Sequence, residues 1–265
     1  MTYTHIAFEI RQQTAWLTLN RPAAMNALSG DMCAEILQAL RHAGENLDVR
    51  VVVITGAGPA FCAGADLKGV LESSTDEPGH KDPLMDFLEL VGTMMDAIRA
   101  LPKPVIAALN GITMAGGLEL AMACDLILAA ESARIGDAHA NFGVLPGAGG
   151  ATVLPRLIGP VHAKYLLFTG DTMAARDLVA LGLINRVVPD AELPAEVQKL
   201  ATRIASKSPL VLKRMKQMVA DGLEQPVASA LRLERLTLDV HRHSYDNKEG
   251  LAAFVGKRKP EFKGY

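Results

Sequence analysis

The sequence predicts an α/β core followed by a helical C-terminal region. Three observations carry that prediction. Up to about residue 150, short apolar runs rich in β-branched residues alternate with segments of helical periodicity. Clusters of Gly, Pro and Asn separate those segments. Beyond that point nearly every segment favours helix.

The elements follow in chain order. Residues 14–19 form a short β-rich run, closed by Asn20-Arg21-Pro22. A helix is expected over 31–42, where Met32, Ile36, Leu37 and Leu40 share a face. The β-branched run 50–55 has the character of a buried strand and ends in the turn cluster Gly56-Ala57-Gly58-Pro59. Helix 84–101 is stopped by Pro102 and Pro104, strand 105–109 follows, and Asn110-Gly111 marks a turn. Gly116 and Gly117 open an apolar helical segment, 118–124. Residues 125–130 and 133–136 read as strands and 146–150 as a Gly-rich turn. Helices are then expected over 161–169, 173–181, 193–206, 209–222 and 228–244, with 184–188 the one remaining strand. The boundary between the core (1–195) and the helical region (196–265) is drawn there. The segment 71–83, with Ser73, Ser74, Asp76, Pro78 and Gly79, reads as a loop, either a plain connector or a mobile flap.

Composition narrows the function classes. With 265 residues, 49% hydrophobic and 21% charged, the chain is long and apolar enough for a packed core and does not have the composition of a disordered chain. A formal net charge of -2 gives no basic field for nucleic acid. The opening MTYTHIAFEI has neither a basic stretch nor a long apolar run, so no signal peptide is expected. No apolar run is long enough to cross a membrane, since Glu119 and Asp125 interrupt the most apolar segment. Cys33, Cys62 and Cys124 are too widely spaced for a disulfide framework or a zinc ribbon, and a reduced, cytoplasmic setting is expected.

Two motifs carry chemistry. The first is Ala60-Phe61-Cys62-Ala63-Gly64-Ala65-Asp66-Leu67-Lys68, whose small side chains let a ligand approach the backbone. The second is Asn110-Gly111-Ile112-Thr113-Met114-Ala115-Gly116-Gly117-Leu118-Glu119-Leu120, where two glycines stand at a helix start. The first N–H groups of a helix lack internal partners and lie at the positive end of its dipole, which suits an anionic oxygen. Taken singly, either motif is explained as well by packing.

Together and in this order they resemble the crotonase (enoyl-CoA hydratase/isomerase) superfamily. The resemblance begins at Leu19-Asn20-Arg21-Pro22-Ala23-Ala24-Met25-Asn26-Ala27-Leu28 and includes Pro146-Gly147-Ala148-Gly149-Gly150. It ends in Phe254-Val255-Gly256-Lys257-Arg258-Lys259-Pro260-Glu261-Phe262, so it spans nearly the whole chain. It implies a spiral of ββα turns with a C-terminal helical trimerisation region, assembled as a homotrimer or as a hexamer of paired trimers. It also implies an acyl-CoA substrate, with coenzyme A entering as part of that substrate and no separate cofactor or metal. Fatty acid metabolism is the implied setting.

By matching positions, the N–H groups of Ala65 and Gly116 would form an oxyanion hole for the thioester oxygen. Ala24, Met25, Ala27, Ala63, Asp66, Leu67 and Lys68 would contact the coenzyme. Lys259, Phe262 and Lys263 are either solvated surface residues or contacts to the nucleotide phosphates, in this subunit or a neighbouring one. Glu119 matches the first catalytic glutamate of the family's hydratases. At the position of the second stands His139, in Gly136-Asp137-Ala138-His139-Ala140-Asn141, which departs from the pattern. An imidazole with a reference pKa of about 6.5 can donate or accept a proton near neutrality. His139 therefore either replaces the carboxylate or marks a changed reaction. Asp137 either orients the ring or lies beside it without contact.

The expected activity is hydration of a trans-2-enoyl-CoA, with Glu119 activating water and His139 handling the second proton. The alternatives are an enoyl-CoA isomerase, a hydrolase of a CoA ester or β-dicarbonyl, and a weakly catalytic homologue that binds acyl-CoA. No G-x-S-x-G nucleophile motif or Gly-x-Gly-x-x-Gly fingerprint supports another class, and His241 and His243, two apart on an expected helix, make a poor metal pair.

Overall fold

The computed structural model describes residues 2–72 and 82–265. The chain opens with an antiparallel hairpin of β1 (Ile6–Arg11) and β2 (Thr14–Leu19). Helix α1 (Gly30–Glu45) follows, begun by Ser29, whose hydroxyl accepts from Met32 N. Three ββα turns come next. The first is β3 (Val51–Gly56), β4 (Ala60–Cys62), the short α2 (Leu67–Glu72) and α3 (Pro83–Ala100). The second is β5 (Val105–Leu109), β6 (Ile112–Met114) and α4 (Gly116–Ala123). The third is β7 (Leu126–Ala130), β8 (Arg134–Gly136) and α5 (Leu154–Thr169). The chain continues through β9 (Thr172–Ala174), α6 (Ala175–Ala180), β10 (Arg186–Val188) and α7 (Leu193–Ala205). It ends in α8 (Pro209–Leu223), α9 (Val227–His241) and α10 (Tyr245–Val255).

Each turn sends its first strand to one sheet and its second to another. The larger sheet runs β1-β2-β3-β5-β7-β10 and the smaller β4-β6-β8-β9. Strands β2, β3, β5, β7 and β10 are parallel neighbours in that order. The central ones carry unbroken apolar runs because both faces are covered: Val51 to Ile54 and Val105 to Leu109 are all buried. Helices α1 and α3 pack together, and α7 lies on the larger sheet through Leu193, Val197 and Ala201. The expected division at 195/196 therefore falls inside a helix whose apolar side belongs to the core.

The periodic elements stand close to their expected positions, and the departures have local causes. Residues 172–174 are a strand where helix 173–181 was expected, because they pair antiparallel with β8. The helix expected over 161–169 starts earlier, at Leu154, and kinks at Gly159 (φ 78°) before Pro160. The helix expected over 228–244 ends at His241, and Ser244 caps a new one by accepting from Asn247 N. Strands β1, β4 and β6 were not anticipated. Of the loop expected over 71–83, residues 73–81 lie outside the described residues.

Candidate active site

The smaller sheet builds the site. Strands β4, β6 and β8 are parallel neighbours, with Cys62 opposite Thr113 and Met114 opposite Gly136. Their C-terminal ends therefore lie along one edge, and the segments that leave them meet: Ala63 to Ala65 after β4, Ala115 and Gly116 after β6, Asp137 to His139 after β8. Gly117 presses α4 onto β4, since a Cβ there would stand 2.1 Å from the Cys62 carbonyl oxygen.

Two main-chain amides come together at this edge. A Cβ built on Gly116 would lie 3.6 Å from Ala65 N. Gly116 is the first residue of α4, so its N–H has no intrahelical acceptor. On either side of Ala65, Leu28 N donates to Gly64 O and Asp66 N donates to Leu28 O. Neither the Ala65 nor the Gly116 N–H donates to an acceptor among the described residues. Between the strand and the helix, Ala115 adopts φ 49° and ψ -118°, a region usually left to glycine. Such a conformation costs on the order of 1–3 kcal/mol and persists only where surrounding contacts impose it, here in part Ala115 N donating to Gly136 O.

Glu119 sits one turn into α4, every residue of which is buried. Its side chain leaves the helix for the glycine-rich turn, where Oε1 accepts from Ala148 N and from Gly150 N, each at 2.8 Å. Two amides on one oxygen fix the carboxylate plane. Oε2 makes no hydrogen bond among the described residues and is left for the cavity. The turn is held in place in part by Arg99, which donates from Nη2 to Ala148 O.

His139 opens a short 3-10 turn after β8. Its Nδ1 lies 2.8 Å from Asp137 Oδ1, and its main-chain N donates to the same oxygen at 3.1 Å. The contact that strand alternation left open is therefore made. A carboxylate only accepts, so Nδ1 carries the proton and Nε2 is the remaining nitrogen. Burial works against a charge on the ring, but the Asp137 hydrogen bond and the charges of Asp137 and Glu119 outweigh it and hold the His139 pKa above the ordinary histidine value.

Glu119 and His139 both line a cavity of about 420 Å³ together with Ala65 and Gly116. Its other lining residues among those described are apolar, with Leu84, Phe87, Val91, Phe142, Val144 and Leu145 the main side chains. Ala63 and Leu67 line it too. Ala24, Met25 and Ala27 belong to an adjoining loop that is tied to the first motif: Ala63 N donates to Met25 O, and Arg21 donates to Ala27 O and to Asp66 Oδ2. The Arg21 guanidinium, which donates to its carboxylate, holds the Asp66 pKa below the usual range. Lys68 is exposed on α2, at the rim of this cradle. Lys259, Phe262 and Lys263 are not brought to the cavity. Phe262 packs beside Gly250, and Lys263 Nζ sits over the Tyr245 ring.

Sequence reasoning missed the cavity wall and the role of the glycine-rich turn. The apolar wall residues read as ordinary core, and amide donors carry no side-chain signal at all. Among the described residues no group of three or more His, Cys, Asp or Glu side chains is placed to hold a metal ion, and no helix is long and apolar enough to cross a membrane.

Comparison with known proteins agrees over the whole length. The model of the family described as enoyl-CoA hydratase/isomerase matches residues 9–265. The chain is 39% identical to a crotonyl-CoA hydratase of Syntrophomonas wolfei, over 99% of both chains. It is 35% identical to a short-chain-enoyl-CoA hydratase of Clostridium acetobutylicum, over 98% of both. The crystal structure of an enoyl-CoA hydratase from Bacillus anthracis superposes with a TM-score of 0.92 at 36% identity, covering 99% of this chain and 100% of that one.

Proposed function

From the premise that the chain belongs to the enoyl-CoA hydratase/isomerase family, we propose that it adds water to a trans-2-enoyl-CoA, giving the 3-hydroxyacyl-CoA. The observation that carries this reading is the pair of unengaged amides, Ala65 and Gly116, opening with Glu119 and His139 onto one apolar cavity. The thioester oxygen accepts from both amides. As negative charge builds on it, the fixed donors stabilise the enolate by on the order of 3 kcal/mol each. Glu119 takes a proton from water as oxygen adds to C3. His139 delivers a proton from Nε2 to C2 as the enolate collapses. Both groups then return to their starting states by exchange with solvent.

The cavity wall favours an acyl group without polar substituents. Ala24, Met25, Ala27, Ala63, Asp66, Leu67 and Lys68 contact the coenzyme along the Arg21–Asp66 cradle. The apolar side chains exposed on α8 and α9, among them Met215, Val219, Leu231, Leu236 and Val240, favour a homotrimer or paired trimers, with Lys259 and Phe262 reaching coenzyme across a subunit boundary. Three unpaired cysteines suit the cytoplasm.

The test offers purified protein a trans-2-enoyl-CoA with an apolar tail and follows the conjugated double bond by absorbance. Loss of that absorbance with water incorporated at C3 supports the reading. Release of free coenzyme A assigns a hydrolase instead, a shifted double bond an isomerase, and saturable binding without turnover a non-catalytic homologue.

A further inference from the structure

We propose that Asp137 is the positioning residue of the second proton carrier: it grips the His139 ring through Nδ1–H and stabilises it as the imidazolium, so that Nε2–H faces the cavity as an acid. This rests on the reading of His139 as the proton donor to C2.

The geometry is that of a buried pair. Asp137 is fully buried, and among the described residues its side-chain hydrogen bonds are both with His139, through Nδ1 and the main-chain N, and both on Oδ1. Oδ2 is buried and has no hydrogen-bond partner among the described residues. It is roofed by the glycine-rich turn, since a Cβ on Gly150 would stand 2.9 Å from it. A carboxylate oxygen buried without a hydrogen-bond donor from the protein is costly unless a positive charge stands beside the group. His139 is the group placed to supply that charge. The other titratable group facing the ring is Glu119, from α4, and it too is a carboxylate. The two acids help the ring hold its proton against the effect of burial, in line with its raised pKa.

The same turn thus serves both catalysts by opposite means. Its Ala148 and Gly150 amides satisfy one oxygen of Glu119, while the bare Gly150 Cα shields an unsatisfied oxygen of Asp137. Glu119 is left as the acceptor of the water proton, and His139 as the donor to carbon. The reaction then needs His139 protonated at the start, so kcat falls as pH rises through the raised value of His139.

The experiment uses the full-length protein labelled with 15N-histidine, with the His139 signals assigned by their loss in His139→Gln. In the wild type the neutral ring should carry its proton on Nδ1 and should titrate above the ordinary histidine value. Asp137→Asn keeps an acceptor for Nδ1–H but removes the charge. It should lower the His139 titration by about one pH unit or more and shift the alkaline limb of kcat down with it, leaving KM within about two-fold. A wild-type ring that titrates at or below the ordinary value, or that carries its proton on Nε2, overturns the proposal without any variant. So does an Asp137→Asn protein in which neither the titration nor the kcat limb moves. If the wild type shows no hydration yet its ring titrates as described, the pair stands and the reaction assignment falls.

Discussion

A Cβ on Gly116 would stand 3.6 Å from the main-chain nitrogen of Ala65, although one residue opens a helix and the other follows a strand of the preceding ββα turn. That space is ordinary van der Waals room, so the fold can accept a methyl group there while the chemistry cannot. Gly116→Ala should leave the melting temperature within about 2 °C of wild type, because alanine also favours helix. The main-chain N–H is kept, but the added methyl group stands beside Ala65 N, where the oxygen shared by the two amides must lie, and the misplacement should lower kcat by roughly a hundred-fold. Gly117→Ala should behave in the opposite way. Its Cβ would meet the Cys62 carbonyl at 2.1 Å, and the forced separation of α4 from β4 should cost about 3 kcal/mol or more, read as a fall in the urea midpoint.

Glu119→Gln preserves the carbonyl oxygen that accepts from Ala148 and Gly150 and removes only the basic oxygen facing the cavity. Hydration should drop by about a hundred- to ten-thousand-fold with substrate affinity retained. A variant that kept more than about a tenth of wild-type kcat would remove Glu119 from water activation.

His139 also leaves a mark on stability. Its pKa is raised in the folded protein, so its charge contributes stability that is fully present below the unfolded value of about 6.5 and is lost as pH rises through the folded value. The difference in unfolding free energy between wild type and His139→Gln should accordingly be larger at about pH 6 than at about pH 9. A difference independent of pH across that range contradicts the Asp137–His139 pairing.

Arg21 joins Ala27 O and Asp66 Oδ2 and so ties together the two segments proposed to contact the coenzyme. Arg21→Ala should raise KM for an enoyl-CoA several-fold while kcat changes little, since neither reacting carbon is touched. The Asp66 pKa is lowered by Arg21, so the ion pair's contribution is present above about pH 4, the unfolded value, and is lost as pH falls through the folded one. Acid unfolding should show a smaller drop between about pH 5 and pH 3 in the variant than in wild type.

Much of this molecule was readable along the chain. Strands 14–19 and 105–109 matched their expected limits, and β3 differed by one residue at each end. Runs such as Val51-Val52-Val53-Ile54 admit few alternatives when a proline or a glycine cluster follows. Helix α1 announced itself by the shared apolar face of Met32, Ile36, Leu37 and Leu40. Glu119 stood out as a lone acid in an apolar helix.

The sequence by itself determined where the longer buried strands β2, β3, β5 and β7 and most of the helices lie and where the chain turns between them, but not β1, β4 or β6. Those properties are local: they depend on apolar periodicity, backbone freedom and capping within a few neighbours. That Ala65 meets Gly116 was expected from the family resemblance alone, and only the tertiary structure decided that Asp137 grips His139 and that the 146–150 turn clamps Glu119. Strands of three residues carry no period to read, and main-chain amides carry no side-chain signature. Their meeting follows from the parallel register of three strands brought side by side by the spiral, a relation between distant parts of the chain that no local pattern encodes.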